Sequence, residues 1–160
     1  VFSNNLVRIT NIKEGIIMLI KQISVFLENK SGRLAEVTKV LGENNIDISA
    51  LSIADTTDFG ILRLIVNNPD MAEKVLRENE FTVSLTDVIG IGVEDKPGGL
   101  NKALSVLEKN DIGIEYMYAF VGKMSDEAMV IIRVDDSDKA IETLKNGGIK
   151  VLSPESVYKL

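Results

Sequence analysis

The sequence predicts an α+β chain made of two βαββαβ sandwiches, each an antiparallel four-stranded sheet with both helices on one face. Three observations carry this. A 24-residue stretch recurs 66 positions later without a gap: Glu28–Leu51 reads ENKSGRLAEVTKVLGENNIDISAL and Glu94–Met117 reads EDKPGGLNKALSVLEKNDIGIEYM. Nine positions are identical, where unrelated segments would share roughly one or two. Each copy also shows the same succession of period-two and period-3.6 apolar patterns, and turn signals fall between them.

In the first copy Ile23, Val25 and Leu27 alternate with Gln22, Ser24 and Phe26, which predicts a strand over 20–28. Asn29-Lys30-Ser31-Gly32 is a turn. Leu34, Val37, Val40 and Leu41 form one helical stripe, and Gly42 to Asn45 ends it. Strands are expected over 46–54 and 59–66, joined by a hairpin turn at 55–58. Asn68-Pro69-Asp70 starts a helix, with a capping residue, a proline in the first turn and a carboxylate near the positive end. Ala72, Val75 and Leu76 face inward, and a last strand covers 81–85.

The second copy repeats the order. Strands are expected over 88–94, 112–120, 128–134 and 149–152, with Val157 extending the last. One helix covers 99–110, with Leu100, Ala103, Leu104 and Leu107 inward. The other is capped by Ser137, carries Ala140, Ile141 and Leu144, and closes at Gly147-Gly148. On the alignment of the two copies, the connection that contains the turn at 122–126 is longer by two residues. Right-handed crossovers put both helices of each unit on one sheet face, which is the ferredoxin-like arrangement. The other face then needs a partner, a physical reason for duplication and dimerisation. Only Thr86-Asp87 lies between the copies, too little for a flexible linker, so the units are expected side by side as a rigid pair. The domains read as 18–86 and 87–160, with 1–17 an extension outside the repeat.

The second strand of each copy changes phase. Ile46 and Ile48 give way to Leu51 and Ile53, and Ile112 and Ile114 to Met117 and Ala119. A repeated slip predicts a β-bulge. Tyr116 and Tyr118 then point away from the helices, to line a pocket or to pack on the sheet.

Composition closes several functional classes. Histidine and cysteine are both absent, which removes Ser–His and Cys–His catalysis, disulfides and the commonest metal ligands. No catalytic residue, metal site or cofactor is expected. Gly90, Gly92 and Gly98 do not have dinucleotide-binding spacing. The net charge of −6 and the lack of a basic tract argue against nucleic acid. No apolar run is long enough to span a bilayer. A cysteine-free chain is compatible with the cytoplasm, the expected location.

The strand-to-helix turns are the candidate sites, Asn29-Lys30-Ser31-Gly32-Arg33-Leu34 and Asp95-Lys96-Pro97-Gly98-Gly99-Leu100. Each ends at a helix N-terminus, where free N–H groups and the helix dipole favour an anion such as an α-carboxylate. Asn29 or Asp95 would accept from an α-ammonium group. On the plainer reading these residues only shape the turn.

The order strand, Asn29 to Leu34, helix, Asn45-Ile46-Asp47-Ile48 resembles the ACT domain. Asp95-Lys96-Pro97-Gly98-Gly99-Leu100 is similar to the family's Asp-x-Pro-Gly-x-Leu motif. The resemblance covers about residues 20 to 158. It implies a non-catalytic module that binds an amino acid or another small ligand where two such domains meet. The expected pair is a homodimer regulating a protein partner, and Ile48, Ser49, Ala50, Ile114, Tyr116 and Tyr118 choose the ligand. The first copy departs from the motif, with Ser31 in place of proline and Arg33 where the second has Gly99, so unequal sites are expected. Two neighbouring readings share these features. One is a regulatory subunit like the small subunit of acetolactate synthase, against which the complete second motif argues. The other is a tandem ACT regulator working only through protein partners.

Met18 directly precedes the first strand and is expected to be the natural start. Mass spectrometry of the protein from its native host checks this, and an intact Val1 or earlier residue overturns it.

Overall fold

The computed structural model describes residues 18–55, 59–120 and 126–159. The elements run β1 Leu19–Glu28, α1 Arg33–Glu43, β2 Ile48–Asp55, β3 Phe59–Val66, α2 Pro69–Glu78, β4 Thr82–Glu94, α3 Gly99–Glu108, β5 Ile114–Ala119, β6 Glu127–Val134, α4 Ser137–Asn146, β7 Lys150–Leu152 and α5 Pro154–Tyr158. The chain forms two compact units. Among the described residues, one comprises Lys21–Asp87 with 157–159; the other comprises Val88–Ser156 with Met18–Ile20.

In the N-terminal unit the strand order is β2-β3-β1-β4. β1 and β2 both pair antiparallel with β3, placing Val25 and Ile53 opposite Leu62. Strand alternation sends Ile23, Val25 and Leu27 to the helix side, where they meet Leu62, Leu64 and Val66 of β3. Val37 and Leu41 of α1 and Ala72, Val75 and Leu76 of α2 complete that core. Each fully buried leucine or isoleucine contributes about 1.5–3 kcal/mol. On the other face Gln22 is wholly buried, and its amide donates to Ser24 Oγ at 3.1 Å, so one polar group partly satisfies another.

The C-terminal unit has the order β5-β6-β4-β7, again antiparallel. Its core gathers Ile89, Ile91 and Val93 of β4, Val130, Ile132 and Val134 of β6, Ala103 and Leu107 of α3, and Ala140, Ile141 and Leu144 of α4. The βαββαβ order of both copies is therefore present, with helices covering one sheet face.

The expected phase slips are register shifts in β2 between Ile48 and Ala50, and in β5 between Ile114 and Tyr116. Beyond them Met117 is paired with Ile132 and packs on the helix-side core, while Tyr116 and Tyr118 are paired with Arg133 and Ile131. The two tyrosines thus point away from the helices.

Several expectations need correction. Thr86 and Asp87 do not interrupt the chain, because β4 runs unbroken from Thr82 to Glu94. Both residues sustain extended backbone as part of a ladder. Leu34, expected in the apolar stripe of the first helix, is 42% exposed and lies outside the core, which takes Val37 and Leu41 from that helix. The cap of α4 is Asp136, which accepts from Lys139 N–H at 3.0 Å, and Ser137 is already helical. Ile46 and Ile112 are buried but precede their strands, since Asn45 and Asp111 hold positive φ at the helix exits. Val157 does not extend β7; it lies in α5. Ser153-Pro154-Glu155 is a helix-start signal of the same kind as Asn68-Pro69-Asp70, and it overrides the apolar alternation. The two hairpin turns expected at 55–58 and 122–126 lie mostly outside the described residues.

Asn68 Oδ1 accepts from Met71 N–H at 3.1 Å. Replacing Asn68 or Asp136 by alanine is expected to cost about 1 kcal/mol each, read from urea unfolding midpoints at unchanged m-value.

Candidate functional site

The two strand-to-helix turns have nearly one geometry. Gly32 at φ 92° and Gly98 at φ 87° occupy the N-cap positions in the left-handed region, which penalises a β-carbon. Neither cap position supplies a side-chain bond to the helix. The first N–H groups of α1 and α3 therefore have no side-chain cap and no intrahelical acceptor. In the turns, Lys30 N–H donates to Glu28 O at 2.7 Å and Lys96 N–H to Glu94 O at 2.8 Å. Glu36 N–H and Lys102 N–H reach back to the carbonyls of Gly32 and Gly98 at 3.0 and 3.3 Å. Asn29 to Gly32 and Asp95 to Gly98 are exposed. Such a place can receive an anionic group from solvent.

The copies differ one residue later. A β-carbon on Gly99 would stand 2.0 Å from Glu94 O, so close approach of helix to strand requires glycine there. Arg33 takes the matching place in α1. Its N–H lies 3.4 Å from Lys30 O, against 2.9 Å for Gly99 N–H to Lys96 O. Arg33 Nη1 bonds Glu36 Oε2 at 2.5 Å, and its guanidinium carbon sits 4.9 Å from the Phe81 ring centroid. Its Nε is buried without a partner. Glu36 also sets a carboxylate in the first turn of α1, whereas the first turn of α3 holds no acidic residue. The positive end of α1 is partly neutralised from within and that of α3 is not.

Ion pairs frame both turns. Lys30 meets Glu28 at 2.6 Å, Lys96 meets Glu94, and Lys102 lies 4.0 Å from Glu94. The hydrogen bond from Lys30 holds the Glu28 carboxyl below the usual glutamate range, and Lys96 does the same for Glu94.

The strand residues are elsewhere. Glu28, at the turn, is opposite Phe59, while Ile48 is opposite Val66. Seven residues of β3 separate them, about 23 Å. Glu94 and Ile114 are likewise opposite Glu127 and Val134 of β6. Within one unit, then, Ile48, Ser49 and Ala50 lie at the far end of the sheet from Asn29–Leu34. Ile114 is equally remote from Asp95–Leu100, with Tyr116 and Tyr118 between. Ser49, in the bulge, is 9% exposed, and its hydroxyl oxygen is buried without a partner. In β5 the matching residue is Glu115, 3.6 Å from Arg133. Among the described residues no cluster of carboxylates is placed to hold a metal ion, and no helix is long and apolar enough to cross a membrane.

One polar cluster had no sequence signal as such: Lys21, Asp70 and Tyr158. Lys21 Nζ meets Asp70 Oδ1 at 2.8 Å, and Tyr158 Oη accepts from Lys21 N–H at 2.8 Å. Burial pushes the Tyr158 phenol above its ordinary value, although the Lys21 bond opposes it. Residues so distant in sequence have no local pattern to connect them.

Comparison with known proteins places this geometry. The family model described as "ACT domain pair" matches residues 18–160. The solved structure of a protein from Bacteroides thetaiotaomicron is 50% identical, covers 89% of this chain and 98% of its own, and superposes with a TM-score of 0.84. The ligand-free regulatory subunit of aspartate kinase from Thermus thermophilus is 17% identical, with 82% and 95% covered and a TM-score of 0.58. The aspartokinase alpha and beta subunit structure is 14% identical, with 80% and 91% covered and a TM-score of 0.55. The latter two likenesses concern the fold. Among curated proteins none matches the sequence.

Glu28 and Glu94 are expected to titrate below an ordinary glutamate in a carboxyl-carbon NMR titration. A depressed folded-state value means the ion pair helps the fold above the unfolded-state value and is lost as pH falls through the folded one. Lys30→Ala should return Glu28 toward normal and leave Glu94 in place. Gly99→Ala should cost about 1–3 kcal/mol by chemical denaturation, because the added carbon meets backbone rather than a flexible side chain.

Proposed function

The chain belongs to the ACT-domain family as a domain pair, and on that premise we propose that it is a non-catalytic regulatory protein that binds a small ligand, an amino acid, where ACT-type units meet. The observation that carries this reading is the pair of glycine-capped helix starts, each without a side-chain cap and each preceded by a turn exposed to solvent. They would take the α-carboxylate, and Asn29 or Asp95 the α-ammonium. The strand residues Ile48, Ser49, Ala50, Ile114, Tyr116 and Tyr118 would choose the side chain. Because turn and strand are far apart in one unit, the reading requires turn and strand to come from different ACT-type units. The second copy's turn is favoured, since no acidic residue in α3's first turn competes with the ligand's carboxylate.

The regulation proposed is linkage. The ligand stabilises one arrangement of the units by its differential affinity, and a protein partner reads the change. The protein is proposed to act as a cytoplasmic homodimer.

A thermal-shift screen of the amino acids tests the reading, since a ligand that binds only the folded protein raises its midpoint. One or a few are expected to do so, by about 3 kcal/mol of added stability at a hundredfold excess over Kd. Gly98→Trp should abolish the response while the protein stays folded, since a β-carbon there meets nothing within 4 Å and only the positive φ resists it. A flat response to every amino acid would reject ligand sensing in favour of regulation through a protein partner alone.

A further inference from the structure

The residues that follow Ser156 belong to the unit that contains most of β1, from Lys21 onward. Residues 157–159 group with Lys21–Asp87, although the strand before them, β7, groups with Val88–Ser156. The turn that makes this passage is locally built. Ser153 accepts from Ser156 N–H through its hydroxyl at 3.3 Å, and Ser156 Oγ–H donates to Ser153 O at 2.7 Å. Pro154 occupies the first helical position, where its missing N–H costs nothing. Val157 is fully buried and Tyr158 half-buried. The phenol oxygen then accepts the backbone N–H of Lys21, 137 positions away, at 2.8 Å. The Lys21 side chain leaves in another direction, to Asp70 in the first turn of α2. Lys21 is thus fastened by its amide to the C-terminus and by its ammonium to a helix.

We infer that the C-terminal turn is a clasp on β1 at Lys21: Tyr158 holds the Lys21 amide, and release of the tail frees that amide while the rest of the fold stays in place. The hydrogen bond from the Lys21 amide to Tyr158 is a neutral one close to the end of the chain, where local opening takes less free energy than opening of the core. Its position gives it consequence. Lys21 precedes by two residues Ile23, which is opposite Leu64; two residues past Leu64 is Val66, the partner of Ile48 at the β2 bulge. Clasp and bulge therefore share one end of the sheet. This inference is independent of ligand binding.

Residue-resolved hydrogen exchange on the full chain tests it. Tyr158→Phe keeps the ring and removes the acceptor. The Lys21 amide is expected to exchange about five- to tenfold faster, with Ile132 in β6 unchanged. Val157→Ala, which loosens the turn but retains the hydroxyl, should act at the same amide. Asp70→Asn, which removes only the ion pair, should leave it within about twofold of wild type. Unaltered exchange at Lys21 in Tyr158→Phe overturns the clasp. So does uniform acceleration of every amide, which would make Tyr158 an ordinary contributor to global stability.

Discussion

The reversal of the chain at Gly32 and Gly98 is the constraint on which the rest of each unit depends. A strand that leads into a helix within a few residues must turn sharply, and here it does so through one left-handed residue per copy. Glycine adopts that conformation without a β-carbon penalty. The turn sets where the helix starts and hence which stripe of it meets the sheet. It also leaves the helix start without a side-chain cap. Capping by serine or aspartate would have stabilised each helix by about 1 kcal/mol and occupied the same amides. The conformation that joins the elements is the one that leaves each helix start without a side-chain cap.

Duplication has kept this turn and let its surroundings diverge. Gly99 permits Glu94 O to approach the α3 backbone, while Arg33 carries its own side chain back over Phe81 and onto Glu36. One turn is closed around a carbonyl and electrostatically unfilled. The other is looser and partly filled by its own arginine–carboxylate pair. The sheets diverge in the same way. Past the bulge the second copy carries Tyr116 and Tyr118 where the first has Ala50 and Ser52. Two copies of one supersecondary design thus present different chemistry at matching places.

The bulges tie pattern to geometry. An extra residue between Ile48 and Ala50, and another between Ile114 and Tyr116, turns the rest of each strand over by one position. Without that shift Met117 would face away from α3 and α4, and the tyrosines would be driven toward the core. The bulge also isolates Ser49, whose hydroxyl is buried with no partner, a state that polar groups rarely occupy.

Much of this was legible in the residues because it is local. The repeat, the alternation of Ile23, Val25 and Leu27, the cap at Asn68 and the phase slip at Ile48 are all written within a few positions of where they act. Local signals in conflict were harder. Val157 reads as a strand residue until Ser153-Pro154 is recognised as a helix start, and Thr86-Asp87 reads as a boundary although extended backbone passes through it. The turns were legible as candidate sites, yet nothing in the spacing of Asn29 and Ile48 reveals that they end about 23 Å apart, because that distance follows from strand direction and register. By itself the sequence determined the ACT-type element order, the glycine turns and the bulges, since each arises from steric and apolar preferences of near neighbours. Only the tertiary structure decided that Arg33 rests on Phe81, that Glu94 O requires Gly99, and that Tyr158 holds Lys21. Those contacts join residues distant along the chain, and only the packed core brings them within reach.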